Sequence, residues 1–144
     1  MQTHGKKLPG FVMAAYLKSV TNSWVTTARF GNKTPCPYSC GEQAGANMEH
    51  LVSCPAFHAA AATLFRHWSG WPLSGDLRES MALHMPMHGS RTAVMLIWHD
   101  VALQTYLAHK HGDGVGLATI IRGRVRAVAR HSTYAKAMLL AAYG

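Results

Sequence analysis

Acidic residues are scarce in this chain. Six Asp and Glu stand against 14 Lys and Arg in 144 residues, leaving a charge of +8 at pH 7. Cysteine is scarce too, and the three present are an odd number. That argues against a disulfide framework, because pairing any two strands the third. A reducing compartment, cytoplasm or nucleus, is the resulting expectation. No window approaches the roughly 20 uncharged apolar residues of a membrane span. Lys6 and Lys7 followed by Leu8 to Leu17 superficially resemble a signal peptide, but Pro9 and Gly10 interrupt the apolar stretch and Lys18 closes it early. Sustained period-two alternation is missing, so strands are not expected. No Gly-x-Ser-x-Gly elbow occurs, Asp76, Asp100 and Asp113 are isolated, and no enzyme is expected.

What is present is 49% hydrophobic, enough for a packed core. The positive charge is unevenly placed. Residues 1–56 carry a net +3 and residues 57–113 balance to zero, whereas residues 114–144 hold Arg122, Arg124, Arg126, Arg130 and Lys136 with no acid. A basic end segment of this kind suits an anionic partner, most commonly nucleic acid.

Helical periodicity dominates. Phe11, Ala15, Val20 and Trp24 recur near helical spacing over residues 11–29. An alanine-rich helix over 56–68 carries Phe57, Ala61, Leu64, Phe65 and Trp68 on one side. The clearest helix spans Arg91 to His109, with Val94, Ile97, Trp98 and Val101 as an apolar stripe widened by Leu103 and Leu107. Gly112, Gly114 and Gly116 then break the chain. A last helix over 117–142 keeps Ile121, Val125, Val128, Ser132, Ala135 and Leu139 on one seam. Beside that seam Arg122, Arg126 and Arg130 fall at i, i+4 and i+8, a basic stripe suited to phosphates along a backbone. Between 69 and 90, Gly70, Pro72, Gly75, Pro86 and Gly89 mark a connection.

The most specific pattern uses every cysteine: Cys36-x3-Cys40, nine residues, then His50-x3-Cys54. Three thiolates and one imidazole complete a tetrahedral Zn²⁺ ligand set of the closed, structural kind. Pro37 and Gly41 suit a tight turn that aims the first two thiolates at one centre, and His50 and Cys54 are four apart, as on one helical face. His58, a further four residues on, is a rival ligand, but Pro55 disturbs the geometry towards it. With no open coordination position, catalysis at the metal is not expected.

Trp24-Val-Thr-Thr-Ala-Arg-Phe, Cys36-Pro-Tyr-Ser-Cys40-Gly-Glu and Met48-Glu-His50-Leu-Val-Ser-Cys54-Pro together resemble a known element. They are similar to the zinc-binding region downstream of the polymerase in reverse transcriptases of non-long-terminal-repeat retrotransposons, over roughly residues 20–68. In one branch of those elements the three-residue cysteine gap occurs too. The resemblance implies that Cys36, Cys40, His50 and Cys54 are zinc ligands and that the region holds template RNA or target DNA. It also implies a detached tail, since the polymerase's paired aspartates have no counterpart here.

These readings give a mainly α-helical protein, a small Cys-Cys-His-Cys zinc knuckle packed with a helical bundle. The expected organisation is a helix plus zinc module over 1–68, a linker over 69–90, and a two-helix basic segment over 91–144. The expected role is non-catalytic, zinc-stabilised binding of RNA or DNA, with phosphate contacts from Arg122, Arg126, Arg130, Arg29 and Lys33. The alternative is a zinc-stabilised helical interaction module whose 121–139 apolar seam meets a protein partner.

Overall fold

The computed structural model describes residues 8–21, 35–41, 47–66, 89–111 and 114–143. It is mainly helical. Six helices occur among the described residues: α1 Gly10–Val20, α2 Met48–Ser53, α3 Pro55–Leu64, α4 Gly89–His111, α5 Leu117–His131 and α6 Thr133–Tyr143. Trp24, Arg29, Lys33 and Trp68 lie outside the described residues.

The first helix starts after Pro9, whose carbonyl accepts the Val12 amide, and ends where the Thr21 hydroxyl and amide both donate to the Leu17 carbonyl. Its buried residues, Val12, Ala15, Tyr16 and Ser19, continue the line begun by Leu8. Steps of three and four keep them on one face.

The centre of the molecule is α4. Residues 93–103 are all buried, as are Thr105 and Tyr106. A helix buried on every side belongs in the middle of a bundle, and α1, α2, α5 and α6 all pack against it. The stripe expected from Val94, Ile97, Trp98 and Val101 is therefore too narrow. His99, Asp100 and Thr105 are fully buried between the apolar positions, which hides the all-round burial from a periodicity argument. Aromatic edges tie three helices together here: Trp98 meets Phe57 at 6.1 Å, Phe65 at 5.6 Å and Tyr143 at 5.9 Å between ring centroids. Each such pair contributes about 0.5–1.5 kcal/mol beyond its area.

The single helix expected over 117–142 is two. Segment 91–144 thus holds three helices rather than two. Ser132 interrupts with an extended backbone, φ −152° and ψ 117°, and its hydroxyl accepts the Ala135 amide at 3.1 Å. Serine competes with helical hydrogen bonds and favours the cap, so His131-Ser132-Thr133 ends one helix and starts another. The seam survives the break. Ile121, Val128, Ala135 and Leu139 are buried, with Val125 packed beside them.

Candidate metal centre

Cys36 and Cys40 lie on a tight turn. Pro37 and Tyr38 occupy its two central positions, and the Ser39 amide closes it on the Cys36 carbonyl at 3.1 Å. Proline's fixed φ suits the position after Cys36. Ser39 then adopts φ 53° and Gly41 φ 81°, both left-handed. The extra residue of the three-residue gap is absorbed at Ser39, and the chain curls so that the second thiol returns to the first.

The other two donors come from a helix junction. Asn47 caps α2, its side-chain oxygen accepting the His50 amide at 2.8 Å, which places His50 in the first turn. Sequence spacing put Cys54 on the same helix; the structure puts it between two. Cys54 has φ −59° and ψ 127°, ending α2 and preceding α3, which opens on Pro55. A residue before proline is driven from the helical region, and proline fits the first position of the next helix.

These elements bring Cys36, Cys40, His50 and Cys54 together, with all ligand atoms within 4.8 Å of one another. The Cys36 and Cys54 sulfurs are 3.7 Å apart, and the Cys40 sulfur is 3.3 Å from His50 Nε2. A tetrahedral metal with thiolate bonds of about 2.3 Å separates two sulfurs by about 3.8 Å. The spacing fits a shared ion and is far longer than a disulfide bond of about 2.05 Å. Cys36, Cys54 and His50 are buried and Cys40 is partly so. His58 is not among the ligands; its ring sits edge-on to Phe57.

No family model, no curated protein and no solved structure matches the chain. The donor set must be read from its own chemistry. Burial pushes the Cys54 thiol up to about 12, partly opposed by the Phe57 and Ala56 amides facing the sulfur. Burial also raises Cys36, opposed by the Tyr38 amide. Without a cation these thiols are neutral at pH 7, whereas a bound metal favours the thiolates outright. Amides already aimed at the sulfurs serve the charged form.

A residue that spacing did not single out as a site residue supports the turn. His109, near the end of α4, donates from Nε2 to the Pro37 carbonyl at 2.8 Å, and its ring meets Tyr38 edge-on at 5.1 Å. The sequence assigned His109 only to a helix end. Tyr38 is buried against this pair, with its hydroxyl pKa raised by burial first and then by Cys54 and Cys36.

The arginines separate into two kinds. Arg122, Arg126 and Arg130 are exposed along α5. Arg124 instead turns inward and grips the fully buried Asp100 with two hydrogen bonds, 2.7 and 2.8 Å. Its guanidinium also lies over the Phe11 ring at 4.7 Å. Burial raises the Asp100 pKa, and Arg124 pulls it back.

Proposed function

We propose that this chain is a zinc-stabilised, non-catalytic nucleic-acid-binding module, akin to the tail of a retrotransposon reverse transcriptase. Cys36, Cys40, His50 and Cys54 would hold the ion, and their three sulfurs and one imidazole nitrogen suit Zn²⁺ in a closed tetrahedral site. When bound, zinc supplies a crosslink between the Cys36–Gly41 turn and the α2–α3 junction, coupling metal affinity to folding. Four protein donors leave no position for substrate.

The observation that carries the nucleic-acid reading is the row Arg122, Arg126 and Arg130. All three are exposed, and residues 114–144 contain no acid to neutralise them. Among the residues whose side chains are described, Asp100 is the sole acid, and Arg124 occupies it. Among the described side chains the row is thus uncompensated, with its guanidinium groups about 6 Å apart along the helix axis. Guanidinium groups suit phosphate through forked hydrogen bonding. The likeness of residues 20–68 to the reverse-transcriptase zinc region supports the same reading. The apolar seam does not favour a protein partner, because Ile121, Val128, Ala135 and Leu139 are spent within the chain's own core. No helix among the described residues is long and apolar enough to cross a membrane.

The test is a metal assay followed by a salt series. The chain purified without chelator should hold one zinc and bind a mixed-sequence oligonucleotide. Its log affinity should fall linearly with log salt, with a slope of about −2 to −3 for three phosphate contacts. Absence of zinc, or affinity indifferent to salt, would refute the corresponding half of the proposal.

A further inference from the structure

Two recesses open beside the arginine row, one towards each end. The first, about 310 Å³, lies between the end of α3 and α5 and is lined by Thr63, Leu64, Phe65, Arg122, Val125 and Arg126. The second, a shallow and open one of about 450 Å³, lies at the α5–α6 break and is lined by Arg130, His131, Ser132, Thr133 and Tyr134. Each joins a guanidinium, a hydroxyl and an aromatic ring. The sequence stripe had no interleaved aromatics; the fold provides them from Phe65, just past the end of α3, and from Tyr134 in α6. Phe65 is held on its far side by Trp98 at 5.6 Å and Tyr143 at 5.2 Å, so its position is set by the core.

A duplex offers this surface phosphates and little else, because its bases are stacked and paired. An aromatic wall inside a recess gains only when a base is free to enter it. Base–aromatic stacking beside a cationic track is the usual basis of single-strand binding.

We infer that the two recesses and the arginine row form one track for single-stranded nucleic acid. Its phosphates lie along Arg122, Arg126 and Arg130, and unpaired bases enter the recesses against Phe65 and Tyr134. The inference rests on the nucleic-acid reading above and adds strand preference and stacking positions to it.

The experiment compares a fluorescent oligothymidylate with a duplex of the same length, by anisotropy, on the metal-loaded chain. The single strand should bind about tenfold more tightly. Tyr134→Leu should lose about that factor for the single strand only, and Tyr134→Phe should retain it. Arg126→Gln should weaken both ligands and lower the salt slope by about one. Phe65 supports Trp98, so it is read in the unaltered chain by ultraviolet crosslinking to a bromouracil-containing strand, mapped by mass spectrometry. Crosslinks at Phe65 or Tyr134 support the track. Equal binding of duplex and single strand, with no effect of Tyr134→Leu, overturns it and leaves the nucleic-acid reading standing. Failure of both strands to bind removes that reading and the track together.

Discussion

His109 holds the Pro37 carbonyl at 2.8 Å across 72 residues of sequence. The metal turn is therefore fastened to the far end of the central helix as well as to its own ligands. Flanked by the Tyr38 ring, this hydrogen bond holds the residue next to Cys36. His109→Ala should cost about 1 kcal/mol of stability and speed metal loss to a chelator. A stopped-flow chelator assay decides it: unchanged release would show that the contact does not restrain the turn.

Loss of a ligand should be far more damaging. Cys54→Ser removes a fully buried sulfur at the α2–α3 junction, and with it metal-coupled folding energy. Bound metal should fall towards zero, and circular dichroism should show lost helix and a lower melting temperature. A variant that melts like the parent would rule out a structural metal.

The turn makes a finer forecast. Ser39 pays the left-handed conformation at φ 53°, and Gly41 occupies it at φ 81° with nothing within 4 Å of an added Cβ. Ser39→Gly should therefore cost nothing or stabilise slightly, whereas Gly41→Ala should lose about 1 kcal/mol from backbone strain alone. Thermal melts of the metal-loaded variants should rank in that order.

Fully buried Asp100 and half-buried Arg124 form an ion pair whose partners cannot be removed singly without penalty. Arg124→Leu should destabilise by about 3–5 kcal/mol by stranding the Asp100 carboxylate, while adding Asp100→Leu should recover most of the loss. Urea unfolding of both single variants and the double variant checks the coupling.

His99 dictates an acid limb. It is fully buried, edge-on to Tyr16 at 5.5 Å, with neither ring nitrogen partnered among the described residues. Burial lowers its pKa from 6.5 to about 4. Between those values the unfolded chain takes up a proton that the folded chain refuses. Stability from this group is complete above pH 6.5 and falls as the pH drops towards 4, by about 3 kcal/mol in all. Metal ligands protonate in the same direction, so the measurement is the difference between the parent and His99→Leu, whose limb should be flatter.

The parts that were legible in the sequence depend on neighbours close along the chain. Thiols and an imidazole at short spacings announce a metal site because ligand chemistry is local. The 117–142 seam kept its phase through Ser132, so Ile121 and Leu139 were placed correctly although the helix breaks between them. Distant pairing was not legible. Arg124 read only as one more basic residue of 114–144, because its partner Asp100 lies 24 residues away on another helix. Central burial of α4 was masked by His99, Asp100 and Thr105, each polar and each enclosed.

The junction at Cys54–Pro55 leaves no spare residue between α2 and α3. Length there is consequently a conserved quantity in a mechanical sense. One residue inserted between His50 and Cys54 would turn the sulfur about 100° around the helix axis from the other three donors, and one inserted after Pro55 would swing Phe57 out of its seat against Trp98. Homologous chains should accept substitution at exposed Ser53 far more readily than insertions or deletions between residues 50 and 57.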